Sequence, residues 1–231
     1  MKANRWSIGA LCALLVFGSC SNVNNTTKGG LIGAGGGALL GGIIGKVAGN
    51  TAVGAAIGTA VGAGAGVLIG KKMDNAKKAV AQEVPQAQVE EVQDKNGLKS
   101  VKVTFDSGIL FDTNKSDLSS SAKTSLAKFA EVLKKNTDMD VNIYGHTDNT
   151  GSDAINDPLS LRRAQSVQGY LSTCGVNSDQ MKSVLGKGSK EPVVSNDTKE
   201  GRAQNRRVEV YLYASEAMIE AAQKEAGESA Q

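Results

Sequence analysis

The sequence predicts an α+β protein: a two-layer β-α-β-α-β sandwich with a mixed sheet, preceded by a glycine-zipper helical hairpin. Three observations carry that prediction. The chain holds 28 glycines in 231 residues, and 16 of them fall between Gly29 and Gly70. From Leu98 onward, runs that alternate apolar and polar residues take turns with runs of helical period, the pattern of sheet and helix layers. Between these regions lies a polar stretch, Lys71 to Gly97, with a composition of its own.

The amino terminus reads as an export signal covering residues 1–19. Lys2 and Arg5 form a basic start, and Trp6 to Gly18 is an apolar run of 13 residues, too short to span a bilayer. "VFGSC", Val16 to Cys20, resembles a bacterial lipobox, with Phe17 where leucine is commoner. The resemblance implies that Cys20 is diacylated and becomes the first mature residue, with residues 20–28 as a lipidated tether. Each buried methylene contributes about 0.8 kcal/mol, so two or three acyl chains hold firmly where one does not. Ser21 follows, and the absence of aspartate there implies sorting to the outer membrane.

Cysteine and charge usage narrow the class. Cys12 lies in the removed segment, so Cys174 is the only thiol left beyond Cys20. No internal disulfide is expected, and Cys174 reads as packing. Formal charge is +3, and loss of Lys2 and Arg5 leaves +1 (26 − 2 basic against 23 acidic). That is no field for nucleic acid.

Within residues 29–70, Gly33-x-Gly35-x-x-Ala38 nominally matches a dinucleotide fingerprint. No strand precedes it and no acidic residue follows at the required distance, so it is set aside. The telling interval is four: Gly33, Gly37, Gly41, Gly45 and Gly49, then Gly54, Gly58, Gly62, Gly66 and Gly70. On a helix this stacks small positions along one face and lets backbones approach. Glycine costs about 1 kcal/mol in a helix interior, so ten in register need a packing reason. Thr51–Gly70 is uncharged for 20 residues, about one bilayer crossing. A membrane-associated hairpin is expected. Insertion, self-packing and homo-oligomerisation all remain open. The run resembles glycine-zipper segments of bacterial outer-membrane lipoproteins.

Residues 71–97 read as a linker, with an amphipathic helix in the first part that Pro85 breaks. Residues 98–214 form the expected domain. Leu98–Phe105 alternates as a strand. Ser119 or Ser120 caps a helix through Leu118, Ala122, Leu126, Phe129 and Val132 that ends near Asn136. Asp138–Gly145 is a second strand, and Leu161, Ala164, Val167 and Leu171 mark a second helix. "MKSVLGKG" and Arg206–Tyr213 complete the sheet, and residues 215–231 are expected as a solvated or frayed helical tail.

"YGHTDNTG", Tyr144 to Gly151, holds the only histidine. It stands at a strand end leading into a helix, where such sheets commonly place ligands. A zinc site needs three or four ligands, and no second histidine or paired cysteine exists. No nucleophile elbow accompanies Ser160. His146 therefore reads as structural.

"FDSGILFDTNKSDLS", "YGHTDNTGSDAINDPLSLRRAQSVQGYL", "GKGSKEPV" and "EGRAQNRRVEV" arrive in the order of the OmpA C-terminal domain family, which this region resembles over about 110 residues. The resemblance implies non-covalent binding of peptidoglycan, without hydrolysis or cofactor, through the diaminopimelate of the stem peptide. It assigns Asp148 to the ligand ammonium and Arg163 to its carboxylate, a charge-assisted fork. An internal Asp148–Arg163 salt bridge is the structural alternative. Thr147, Asn156 and Leu159 are expected to line the pocket, and Asp112 and Thr113 to face it from a loop. Of Arg206 and Arg207, one is expected to be structural and the other to stay near the site. Pro158 departs from the family pattern. With Asp157 as cap it suits a first helical turn, which would shift Asn156. The expectation is an outer-membrane lipoprotein that tethers membrane to wall. The rival is a glycine-zipper assembly factor or pore, and a hydrolase comes third.

Overall fold

The computed structural model describes residues 61–229 apart from 95 and 113. The signal, Cys20 and the first glycine run lie outside the described residues, as does all of the second run before Val61. The elements are α1 (Ala63–Glu83), β1 (Gln88–Gln93), β2 (Lys99–Asp106), α2 (Ser107–Leu110), α3 (Ser120–Lys135), β3 (Met139–Gly145), α4 (Asp153–Thr173), β4 (Met181–Gly186), α5 (Lys199–Asn205), β5 (Arg207–Ala214) and α6 (Glu216–Glu228). No described helix is long and apolar enough to cross a membrane.

Five strands form one mixed sheet in the order β1-β2-β5-β3-β4. The β1–β2, β2–β5 and β5–β3 pairs are antiparallel and β3–β4 is parallel. The expected α+β class with a mixed sheet is what the chain adopts. Alternation sorts the side chains. Val101, Val103, Phe105, Val141, Ile143, Val208, Val210 and Leu212 enter the core beside Leu126, Phe129 and Leu133 of α3 and Val167 and Leu171 of α4. Phe105 meets Phe129 edge-on at 5.6 Å, a pairing that adds about 0.5–1.5 kcal/mol beyond area burial. Ser119 caps α3 through Oγ, which accepts from Ala122 N at 3.0 Å.

The linker expected over residues 71–97 is largely built into the domain. α1 buries Ala65, Ile69, Met73, Ala76 and Val80, a stripe at intervals of three and four that faces the core. Fully burying one such aliphatic side chain contributes roughly 1.5–3 kcal/mol. Lys99 of β2 reaches Asp74 at 2.9 Å and Glu91 at 3.3 Å, joining helix, edge strand and sheet. Pro85 does end the helix, but β1 then pairs with β2 along its whole length.

The carboxy-terminal helix also differs from a frayed tail. α6 buries Met218, Ile219 and Ala222. It lies so close to α1 that a Cβ on Gly64 would come within 2.9 Å of Ala226 Cβ. Among the described residues, nothing stands within 4 Å of where a side chain on Gly62, Gly66 or Gly70, the in-register end of the second glycine run, would be.

Pro158 does not start a helix. α4 begins at Asp153, and Pro158 sits inside its second turn. The lost hydrogen bond would have reached the carbonyl of residue 154; Ala154 is exposed, where water can serve that carbonyl. The register of Asn156 is therefore unshifted.

Candidate functional site

The site forms where β3, the 146–152 loop, α4 and the start of β5 meet. Gly145 permits the meeting. A Cβ there would lie 2.1 Å from the Ser160 carbonyl oxygen, so only hydrogen lets α4 pack against the strand end. His146 N then donates to Arg207 O, and Thr147 N donates to Gly188 O, each at 2.9 Å. These two bonds fix the loop on which Asp148 rides.

Asp148 is 7% exposed. Its Oδ1 accepts from Thr150 N at 2.8 Å, and its Oδ2 accepts from an Arg206 η nitrogen at 2.5 Å. Burial pushes its carboxyl upward, but the bonds from Arg206 and Thr150 outweigh burial and hold it below the usual carboxylate range. The internal partner is thus Arg206 and not Arg163.

Arg163, on α4, is 4% exposed. It donates through Nε to Lys115 O at 3.0 Å, and its guanidinium lies over the Phe111 ring at 5.2 Å. Its η nitrogens make no hydrogen bond among the described residues. Burial lowers its pKa, Arg206 lowers it further, and Asp148 raises it. The three charges therefore share one neighbourhood, although Asp148 and Arg163 are not directly paired.

The other predicted residues divide. Thr147 is buried, and its hydroxyl lacks a partner among the described residues. Asn156 is buried and donates to Thr150 O at 3.1 Å, bracing the loop from the helix side. Leu159 is buried, 8% exposed. Asp112 is exposed and pairs with Lys115 at 3.0 Å, the residue whose carbonyl holds Arg163. Thr113 lies outside the described residues.

The two arginines of "NRRV" separate by strand alternation. Arg207 is buried and donates from Nε to Glu209 Oε1 at 2.8 Å, while Arg206 is partly exposed and faces Asp148. Tyr211 donates to Glu209 Oε2 at 2.6 Å. His146 is fully buried, with Nε2 3.5 Å from Glu209 Oε2, too long for a good hydrogen bond. Burial lowers the His146 pKa despite the neighbouring Glu209. Asn205, unassigned by sequence, organises the adjoining loop. Its Oδ1 accepts from Val193 N and Val194 N, and its Nδ2 donates to Val194 O and Asn196 Oδ1. Asn196 in turn accepts from Asn149 N at 3.3 Å. No group of three metal-ligating side chains occurs among the described residues.

Chemically, the region offers a buried carboxylate, a guanidinium with free donor edges, and a second guanidinium bonded to the carboxylate. The cluster is complementary in charge to a small group bearing both signs, and it sits on an α+β domain with a mixed sheet. Residues 110–206 match the OmpA family, and residues 1–74 match the YMGG-like Gly-zipper family. The chain therefore carries an OmpA-like domain preceded by a glycine-zipper segment.

The peptidoglycan-binding protein ArfA of Mycobacterium tuberculosis is 51% identical over 87 residues, covering 38% of this chain and 26% of ArfA. A protein named "Probable lipoprotein YiaD" from Escherichia coli is 37% identical over 113 residues, covering 49% of this chain and 51% of YiaD. Outer membrane protein A of Bordetella avium is 36% identical over 132 residues, covering 57% of this chain and 66% of that protein. The chain thus spans from a quarter to two thirds of these relatives. Among solved structures, the cell wall anchor of the T6SS from Pseudomonas aeruginosa aligns with TM-score 0.51 and 27% identity, covering 60% of this chain and 95% of that one. A MotB-like protein from Desulfovibrio vulgaris aligns with TM-score 0.54 and 23% identity, covering 62% and 92% respectively, which speaks to the fold alone.

Proposed function

We propose that this chain is an outer-membrane lipoprotein, anchored by acylated Cys20, whose OmpA-like domain binds peptidoglycan non-covalently through diaminopimelate and so tethers membrane to wall. The observation that carries the reading is the convergence of Asp148 and Arg163 on one buried charge neighbourhood, with the Arg163 η nitrogens unspent. The free end of diaminopimelate in the stem peptide presents an ammonium and a carboxylate on one carbon. The ammonium takes the place of Arg206 on Asp148, and the carboxylate meets Arg163 as a bidentate partner. Arg206, released, turns its charge to the same carboxylate. The role is binding without catalysis. Modest affinity suffices, because confinement at a membrane and many copies multiply weak contacts.

Pelleting of the intact protein with purified peptidoglycan tests this. Asp148→Ala and Arg163→Ala are each expected to abolish pelleting while the fold survives, and free diaminopimelate is expected to compete with the wild type. Wild-type-like pelleting by both variants refutes the site.

One observation favours a second reading, a glycine-zipper assembly factor or pore positioned by its wall domain: no described residue packs against Gly66 and Gly70 of α1 or against its cap, Gly62. Cross-linking of the residue 29–70 segment into oligomers in detergent supports that role, and a strictly monomeric segment removes it.

A further inference from the structure

Between α4 and the loop that follows β4 lies a cavity of about 420 Å³. Asp157, Pro158 and Leu161 of α4 form one wall, and Gly186, Lys187, Lys190 and Glu191 form the other. We propose that this cavity is a second subsite, one that takes a saccharide ring of the glycan strand while the Asp148–Arg163 cleft holds the attached stem peptide. The proposal rests on the peptidoglycan reading above.

The cavity is built rather than incidental. Its two walls are held together by contacts that tolerate no side chain at two glycines. A Cβ on Gly186 would meet Leu161 N at 2.5 Å, and one on Gly188 would meet Asp157 Oδ1 at 2.2 Å. Gly188 adopts φ +55°, a left-handed backbone that glycine takes at no cost. Its N–H donates to Ser160 Oγ at 3.0 Å, and its carbonyl accepts from Thr147 N at 2.9 Å. The loop lining the cavity is therefore stitched to the loop that carries Asp148. On α4, Asn156 and Asp157 are neighbours about 100° apart around the helix. The first braces the cleft and the second opens on the cavity.

The chemistry of the lining selects the ligand. Lys187 pairs with Glu191 at 3.0 Å, and Lys190 pairs with Asp157 at 2.6 Å. Two cations and two anions leave no net charge, so the cavity has no preference for an anion or a cation. Asp157 Oδ1 is buried and accepts no hydrogen bond among the described residues. Pro158 and Leu161 add an apolar surface between the charged pairs. Two internally neutralised ion pairs beside an apolar surface suit a neutral ring that carries hydroxyl and amide groups on its edge and C–H bonds on its face. At 420 Å³ the cavity falls in the range of small-molecule sites, about 300–1,000 Å³.

The test compares two probes on the intact protein in detergent: a diaminopimelate-containing stem tetrapeptide, and the same peptide attached to its disaccharide. Wild type is expected to bind the disaccharide-peptide more tightly. Lys190→Ala and Asp157→Asn are each expected to cut that advantage about three- to tenfold, the worth of one or two net hydrogen bonds. Neither is expected to change affinity for the free peptide. Thermal unfolding checks both folds, and if Lys190→Ala fails to fold, Asp157→Asn decides. Equal affinity of wild type for the two probes overturns the subsite and leaves the diaminopimelate reading standing, as does an advantage unchanged in the folded variants. Failure of wild type to bind either probe overturns both.

Discussion

The helix that leaves the glycine-rich segment belongs to the OmpA-like domain, and a single truncation tests that. Met73 is fully buried, 0% exposed, in the stripe that α1 presses onto the core. Met73→Ala removes three heavy atoms from that contact and leaves a void that the neighbouring Ile69 and Val80 fill only in part. Buried methionine-to-alanine changes cost about 2–5 kcal/mol. Since α1 lies at the edge of the core, about 3 kcal/mol is the working figure. One kcal/mol moves the midpoint of a domain of this size by about 2–4 °C, so thermal unfolding of the intact protein should shift down by about 6–12 °C. Lys72→Ala is the control. Lys72 is 53% exposed and, among the described residues, paired only with Asp138, and an exposed pair contributes about 0–1 kcal/mol. If Met73→Ala moves the midpoint no more than Lys72→Ala, residues 71–83 are a spacer and the packing described for α1 is wrong.

Four further outcomes follow from the geometry. Gly145→Ala sets a Cβ against the Ser160 carbonyl and should cost about 1–3 kcal/mol or more, with weakened wall binding, read by denaturant unfolding and pelleting. Arg206→Ala removes the bond that lowers the Asp148 pKa, so the Asp148 titration followed by NMR should move upward. Because a lowered carboxylate contributes stability that is lost as pH falls through its folded pKa, the variant should also lose less stability on acidification. Asp140 is pushed up to about 6, mainly by burial and against the pull of Lys182. Its neutral form is the one the fold prefers, so its contribution is present below about pH 4 and lost as pH rises through 6. Asp140→Asn should therefore stabilise the protein at pH 8 relative to wild type and make little difference at pH 4. His146, lowered mainly by burial, contributes stability present above about pH 6.5 and lost as pH falls below it. In His146→Gln that part of the acid-side slope should be absent, as measured by unfolding midpoints between pH 7 and pH 5.

Much of the fold was legible because its signals are local. Ser119, one of the two serines read as candidate caps, caps α3, since a serine before a helical stripe has few other roles. The strands β2, β3 and β5 alternate clearly, and their expected ends differ from the observed ones by a residue. The first and last layers of the structure were harder to see. β1, "QVEEVQ", is an edge strand whose two apolar residues, Val89 and Val92, fall on opposite faces, and only its pairing with β2 makes it a strand. The spacing of Ile69, Met73, Ala76 and Val80 was in plain sight, but a helical stripe does not say which surface it covers. Pro158 misled in the other direction. Proline favours a first turn as a rule, yet an exposed carbonyl one turn earlier lets it sit deeper. At the site, the residue types followed from the family resemblance, and the pairing did not. Alternation along "NRRVEV" already put Arg207 and Glu209 on one face, and that would have left Arg206 for Asp148. The role of Asn205 depends on a loop brought in from residues 193–196, which no spacing in the sequence announces.

The sheet order has a consequence for the order of events in the life of the chain. β5, made of Arg207–Ala214, lies in the middle of the sheet and is the sole bridge between β2 and β3. Until those late residues are available, β2 and β3 have no common neighbour and the two halves of the sheet cannot join. A polypeptide threaded amino end first through a narrow channel thus stays open until its last few dozen residues emerge. Contacts between strands about 100 residues apart close slowly, so completion of the sheet waits on β5.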